Sequence, residues 1–270
     1  MARTRVVDER PTPPAEDGVR DDESALNSAR SLDRPFVVLR VLRERRAPMR
    51  LTEIAQAAQL HLATTQRIVN LLVHYGYVER EGFDYRLGVA PLLDGTVFLQ
   101  TNRLVQAAET VLGELTAATN LTSTLTVRVD LTAVLLYRVA SVPPMRYQVP
   151  IGEQLPLTVG GARVHAAYLE DEDLERLLEG VDEIRLASGV AVTREEFVAN
   201  LGVIRERGYA FGQGQRQAGG LSIAVPVFDR AGELVAGIQL SALIEDIPKD
   251  VEALVVELQR ASAAITRRLP

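Results

Sequence analysis

Cysteine is absent from this 270-residue chain, and histidine occurs only as His61, His74 and His165. Without cysteine there can be no disulfide, no thiolate zinc site and no cysteine nucleophile, and three scattered histidines leave little for a metal centre. No run of about eighteen apolar residues occurs, and the N-terminus lacks the charged-then-apolar pattern of an export signal, so no membrane span or export is expected and a cytoplasmic location is. Catalytic constellations are missing too. Gly212-Gln213-Gly214 has no third glycine at the dinucleotide-binding interval and leads into a strand. His165 has no ordered Ser/His/Asp spacing around it, which leaves it a packed or solvent-facing histidine. No cofactor, metal or enzymatic activity is implied.

What is present is an ordinary globular composition, 47% hydrophobic and 24% charged, over a length that predicts two domains. The net charge of −6 is unevenly placed. Residues 1–29 hold four Arg against seven Asp/Glu, residues 30–90 hold ten Arg against six, and the remainder is acidic. A basic segment joined to an acidic one suits nucleic-acid contact at one end only.

Within the basic segment, Leu51, Ile54, Ala55 and Ala58 give a short amphipathic helix. A tight turn at Gln59-Leu60-His61 follows, then a second helix with Ile68, Val69, Leu71 and Leu72 inward. Two short helices so joined place the second in a DNA major groove. Tyr77–Arg80, a turn at Gly82 and Tyr85–Leu87 alternate as a β-hairpin, the wing. Upstream, Ser31–Arg46 is helical, with Phe36, Leu39, Leu42 and the flanking valines inward and Pro35 in the first turn. Residues 1–28 are rich in Pro, Asp, Glu and Arg without apolar period and are expected to be disordered.

Outward polar residues near the start of the second helix are Thr64, Thr65, Gln66 and Asn70, with Arg67 beside them. Gln and Asn can bond adenine bidentately, threonine can touch a thymine methyl, and arginine can pair with guanine or a phosphate. The alternative is that Thr64 only caps and Arg67 only pairs with an acid. Arg80 and Arg86 on the wing suit phosphate contacts.

Beyond Val89 a helical period runs to Asn120, interrupted near Thr101-Asn102. Leu121–Val129 and Thr132–Val139 predict paired strands, and Met145–Val149 a third. Ala162–Leu169 is helical, and Asp171 or Asp173 caps a short helix to Leu178. Thr193-Arg194-Glu195-Glu196 forms a capping box for a helix ending at Gly208. Tyr209–Gln215, Ser222–Phe228 and Leu234–Ser241 are strands, with Asp229–Gly232 turning between the last two. Asp246-Ile247-Pro248 starts a long terminal helix. The fold class is α+β: a winged helix-turn-helix over 29–88, a linker helix over 89–103, and over 104–270 a six-stranded antiparallel sheet with flanking helices.

SLDRPFVVLRVLRE, LTEIAQAAQL, TTQRIVNLL, YGYVERE and YRLG resemble, in order and spacing, the IclR-type bacterial transcriptional regulators. The resemblance continues through IGEQLPLTVGGA and RERGYAFGQGQRQAGGLSIAVPVFDRAGELVAGIQLSAL, over residues 30 to about 268. It implies a small-molecule-responsive repressor or activator of a double-stranded DNA operator, a homodimer or homotetramer without catalysis. Arg67 stands at the arginine of that family's recognition pattern. Leu92, Leu93, Val97, Phe98 and Leu99 would either pair across a dimer through the linker or pack on their own domain. This chain has His61-Leu62-Ala63 where the family usually has Pro-Lys-Ser. Gln59 stands where a turn glycine is common, at a cost of about 1 kcal/mol if φ is positive there.

An effector site is expected from Gly160, Gly161 and Ala162 together with the Gly212–Gly220 segment, Gly212 included, and with Ser222, Gln239 and Ser241, each of which could instead be an ordinary strand residue partnered within the sheet. Glycine lets a backbone approach a ligand, and N–H groups at a helix start suit a carboxylate. The acidic cluster, cysteine and Gly-Lys of the resembling family are replaced here by Gly212–Gln215, Ser222 and Arg163-Val164. Such a site would take a neutral or anionic organic compound, bulkier than the family pattern allows, with Arg163 adding a charge. A large side chain at Gly161 is expected to block it. Two other functions remain open: a tethered enzyme of unknown chemistry, which the missing catalytic motifs disfavour, and a winged-helix protein-interaction module, which the basic charge disfavours.

Overall fold

The computed structural model describes residues 32–141, 149–246 and 250–269. The tail expected to be disordered, and the strand expected at Met145–Val149 up to its last residue, lie outside the described residues. The chain divides into two compact units between Val97 and Phe98.

In the first unit, helix α1 covers residues 32–45. It buries Val38, Val41 and Leu42, one stripe of the 3.6-residue repeat. Phe36 lies two residues before Val38, on the opposite side, and is 71% exposed, so it does not face the core as expected. Strand β1 (Met49–Arg50) leads into α2 (Leu51–Ala57), α3 (Leu62–His74), β2 (Val78–Glu81) and β3 (Asp84–Leu87), with sheet order β1-β3-β2. Between α2 and α3 the turn closes with Leu60 N donating to Ala55 O at 2.9 Å, and Gln59 takes φ 54°. That is the left-handed conformation a glycine would adopt without strain. Helix α3 buries Thr65, Val69 and Leu72 at positions i, i+4 and i+7, while Leu71, expected inward, is half exposed. Val69 and Leu72, with Val38, Val41, Leu42, Met49, Ile54, Val78 and Tyr85, form the unit's core.

Helix α4 (Ala90–Thr101) has no buried residue. Its first turns are tied to the winged unit, where Tyr77 Oη donates to Asp94 Oδ2 and Ala90 N to Gly76 O.

In the second unit, α5 (Arg103–Thr119) follows the expected break: Asn102 Oδ1 accepts from Leu104 N at 3.0 Å and Val105 N at 3.1 Å. Next come β4 (Thr122–Val129), β5 (Thr132–Val139) and β6 (Gln154–Pro156), a 3₁₀ turn at Gly160–Ala162, α6 (Arg163–Ala166), α7 (Asp171–Leu177), β7 (Glu183–Arg185) and β8 (Ala191–Thr193). The remainder is α8 (Arg194–Arg207), β9 (Ala210–Gln213), β10 (Gly220–Phe228), β11 (Leu234–Leu243) and α9 (Val251–Arg268). Six strands form one antiparallel sheet in the order β6-β5-β4-β11-β10-β9. Its sixth member is Gln154–Pro156, downstream of the segment from which it was expected, and β7 and β8 form a separate hairpin that the sequence did not suggest.

Local chemistry sets the boundaries. Thr193 Oγ1 accepts from Glu196 N and Glu196 Oε2 from Thr193 N, the expected capping box, and α8 ends on Gly208 at φ 75°. Helix α7 is preceded by Glu170 instead of an aspartate cap. Asp229 Oδ1 accepts from Ala231 N and Glu233 N, both at 2.9 Å, and closes the β10–β11 turn. Asp250 caps α9, receiving Ala253 N at 3.0 Å, so the terminal helix starts after the expected Asp246-Ile247-Pro248, of which Ile247 and Pro248 lie outside the described residues.

The two faces of the sheet differ because side chains alternate along each strand. One face carries Leu125, Ile223, Val225, Ile238 and Leu240 against Leu112, Leu115, Leu254 and Leu258 of α5 and α9. The other carries hydroxyls and amides, and a second cluster including Leu157, Val164, Phe197, Leu201 and Ile204 accompanies the layer that covers it. Among the described residues no helix is long and apolar enough to cross a membrane.

Candidate DNA-reading helix and ligand cavity

On α3, Arg67 and Asn70 are exposed and Thr64 and Gln66 partly so. Gln66 Nε2 donates to Asn70 Oδ1 at 2.8 Å across one helical turn. That bond leaves Gln66 Oε1 as an acceptor and Asn70 Nδ2 as a donor, the complement of adenine's N6 amine and N7. Arg67 forms no ion pair among the described residues, so pairing with a neighbouring acid does not explain it. Thr65 is different. It is fully buried and its hydroxyl donates to His61 O at 3.1 Å, which makes it a core residue and removes it from the expected base readers. His61 itself precedes α3 without a side-chain cap.

The wing is less basic than its arginines suggest. Arg86 pairs with Glu79 and Glu81, each at 3.3 Å. Arg80 Nε donates to Gly82 O at 2.9 Å and its guanidinium lies 5.8 Å from the centre of the Tyr85 ring.

In the second unit, register builds a polar floor on the covered face of the sheet. Arg138 on β5 lies opposite Thr124 on β4, which lies opposite Gln239 on β11 and then Ala224 on β10. Two residues along, Thr122, Ser241, Ser222 and Gly212 form the next row. Over these rows sits the Gly160–Ala162 turn, and Leu135, Leu155, Val149 and Val159 supply apolar walls. All seven effector residues expected from the sequence line this one cavity: Gly160, Gly161, Ala162, Gly212, Ser222, Gln239 and Ser241. Gln215, Arg216, Gln217 and Gly220 of the Gly212–Gly220 segment line it too, and the sequence missed Thr122, Thr124 and Arg138. Thr122, Thr124 and Thr126 alternate on β4, so the period-2 signal was available but served only to identify the strand.

Gly161 explains how closely the turn meets the sheet. A Cβ there would stand 1.9 Å from Gln239 Oε1 and 2.9 Å from Ala224 Cβ. A leucine at this position would therefore lift the turn off the sheet, and does not simply plug the cavity as expected. Glutamines also take up the room that glycines release: Gln239 packs on Gly161, and Gln215 Oε1 accepts Gly160 N at 2.8 Å. The cavity is about 60 Å³, room for about four to six waters. A small ligand fits, against the expectation of a bulky one.

Arg163 is not a ligand group. It is 5% exposed and outside the lining of this cavity; Nε donates to Gly160 O at 3.0 Å, one terminal nitrogen to Asn200 Oδ1 at 2.6 Å and the other to Phe211 O. Burial, and then the neighbouring Arg207, bring its pKa down to about 10, which leaves it charged. It clamps the turn to α8 and β9. His165 is also buried, with Nε2 2.9 Å from Thr126 Oγ1. Burial, and then Arg128, lower its pKa to about 4. It is a packed histidine.

A winged helix-turn-helix joined in one chain to a second domain with a cavity between a polar strand row and a glycine turn defines a class, the ligand-responsive DNA-binding transcriptional regulators. The comparisons with known proteins narrow this. Residues 96–267 match the bacterial transcriptional regulator IclR C-terminal domain and residues 31–82 match the IclR helix-turn-helix domain, and the chain belongs to the IclR family. It is 28% identical over 224 residues to the HTH-type transcriptional regulator KdgR of Escherichia coli K12, covering 82% of this chain and 85% of that one. It is also 28% identical over 231 residues to the transcriptional repressor IclR of the same organism, 84% of each chain. An IclR regulator structure from Alicyclobacillus acidocaldarius superposes with a TM-score of 0.73 at 25% identity, covering 89% of this chain and 98% of its own. An IclR homologue from Microbacterium hydrocarbonoxydans, solved with 4-hydroxybenzoate, shares the fold with a TM-score of 0.70 at 21% identity, covering 88% and 98%. Regulators of this family are transcription factors and not enzymes.

Proposed function

We propose that this chain is a cytoplasmic, non-catalytic regulator that binds a palindromic operator as a homodimer or homotetramer, and that a small organic anion in the sheet cavity sets its affinity for DNA. Residues 29–88 read DNA, 89–103 link, and 104–270 sense and associate. Gln66, Asn70, Arg67 and Thr64 contact base edges, the first two as a hydrogen-bonded pair. Arg80 contacts phosphate, and Arg86 does so less strongly because Glu79 and Glu81 already engage it.

The observation that carries the sensing role is the convergence of Gly160, Gly161, Ala162, Gly212, Ser222, Gln239 and Ser241 on one cavity. Association is supported by α4, where Leu92, Leu93, Val97 and Phe98 stay exposed while Leu99 packs on the core of the second unit. An exposed, largely apolar helix of this kind marks an interface. In the 4-hydroxybenzoate-bound homologue, a fold neighbour holds a small aromatic acid.

Selection of bound sequences from random duplex DNA, using the full chain, tests the DNA-reading role. Enrichment of an inverted repeat is expected, because a two-fold assembly reads two half-sites. Recovery without any shared sequence would refute it.

A further inference from the structure

We infer that the ligand of the sheet cavity is an acid with an apolar tail, as a medium-chain monocarboxylate is, and that Gln215 is the gate through which the tail passes into a second, apolar chamber. The inference rests on the sheet cavity being the effector site, and extends what that site accepts.

Gln215 is a partition. Among the described residues it alone lines both the sheet cavity and a wider, more open cavity of about 390 Å³ between the β7–β8 hairpin and α8. Its backbone is fixed, because Gln215 O accepts from Ala187 N at 2.9 Å and Gly214 O from Ser188 N at 2.8 Å, both in the loop of that hairpin. Its side chain rests on Gly212, where a Cβ would stand 3.0 Å from Oε1. One hydrogen bond among the described residues holds that side chain, Gly160 N donating to Oε1 at 2.8 Å. Rotation about the side-chain bonds is therefore enough to join the two cavities while the chain around them stays in place. The neighbouring Arg163 has three acceptors and remains where it is.

The two chambers differ in chemistry. The sheet cavity presents the Ser222 and Ser241 hydroxyls and the Arg138 guanidinium, and no Asp or Glu lines it, which suits a carboxylate head. Beyond Gln215 the walls are Ile184, Leu186, Val190, Val192 and Phe197. Of the polar side chains there, Arg163 donates to Asn200 Oδ1 at 2.6 Å, and Glu196 Oε2 accepts Thr193 N at 2.9 Å. The Glu196 carboxylate also disfavours a second anionic group. Val190 is 55% exposed, apolar surface that a tail would cover with a gain in free energy. The sheet cavity, at about 60 Å³, holds the head and has no room for the tail.

The test is thermal stabilisation of the full-length protein by acetate, butyrate, hexanoate and octanoate at equal ionic strength, followed by calorimetric affinities. The wild type should bind octanoate about tenfold or more tightly than butyrate, since each methylene that leaves water adds about threefold. Gln215→Ala removes the partition and its bond to Gly160, and should tighten octanoate relative to butyrate by up to about tenfold, the worth of one hydrogen bond. Val190→Asp, at an exposed position of the second chamber, should bring octanoate down to the level of butyrate. Equal binding of all four acids by the wild type, no gain for octanoate in Gln215→Ala, a preference that survives Val190→Asp, or no binding by any acid would overturn the inference. Ser241→Leu separates this from the location of the site. If the four acids bind alike and all are lost in Ser241→Leu, the cavity stands and the second chamber fails. If binding persists in Ser241→Leu, the cavity assignment fails and the inference with it.

Discussion

Acid should weaken the second domain through one imidazole. His165 is 1% exposed, and its Nε2 lies 2.9 Å from Thr126 Oγ1, whose hydroxyl also donates to Gly237 O at 3.2 Å. One hydroxyl proton cannot serve both, so the imidazole is the donor to Thr126 and is neutral. In the unfolded chain this histidine protonates near 6.5, in the folded one only near 4. Between those values the unfolded state holds a proton that the folded state refuses, so falling pH favours unfolding; above 6.5 neither holds it and the contribution vanishes. The loss is about 2.5 kcal/mol at about pH 4.5 and about 3 kcal/mol below pH 4. Denaturant unfolding of the wild type and of His165→Gln, which keeps a neutral donor to Thr126, measures it. The carboxylate Asp173, which the Arg128 hydrogen bond holds below the usual range, is common to both proteins and cancels. The stability gap between them should shift by about 2.5 kcal/mol in favour of the variant from pH 7 to 4.5. A gap independent of pH would refute the buried neutral imidazole.

On the selected operator, Gln66→Ala and Asn70→Ala should each cost about 1–3 kcal/mol and leave random DNA nearly unaffected; because the two amides are bonded, the double variant should cost less than the sum, and full additivity in binding titrations would count against a paired reader. Arg80→Ala should weaken specific and random DNA alike, with a shallower salt dependence. Gln59→Gly should stabilise the winged unit by about 0.5–1 kcal/mol in denaturant titrations, since φ is 54° there, and a loss of stability would show that the side chain matters more than the backbone. A fragment of residues 90–270 should sediment as an associated species, and a monomer would contradict the assignment of association to that part.

The fold was legible wherever local chemistry decides an outcome. The Thr193–Glu196 box, the Gly208 cap, the Asp229 turn and the Asn102 break all announce themselves within a few residues. What failed depended on position around a helix or on distant pairing. Phe36 and Leu71 look like core residues but fall off the stripes set by Val38 and Val69. Thr65 looks like a polar reader but packs inward. The edge strand Gln154–Pro156 is three residues long and exists because β5 offers it a partner. In the cavity, glycines and strand hydroxyls were visible because those residue types have few other uses together. Arg138 and Thr124 were not, because only the β5–β4–β11 register brings them to Gln239. Arg163 was misjudged because its three acceptors, Gly160, Asn200 and Phe211, are spread over 52 residues of chain.

Coupling between the cavity and DNA is the central claim, and reciprocal affinity measures it most directly. The operator affinity of the full chain would be determined with and without the acid that stabilises it most, in the wild type and in Ser241→Leu. Linkage requires that the acid change operator affinity by the same factor by which operator changes acid affinity, about fivefold or more for a functional regulator. The account predicts that factor in the wild type and none in Ser241→Leu, with DNA binding otherwise equal. An acid that binds the wild type yet leaves operator affinity unchanged would contradict it.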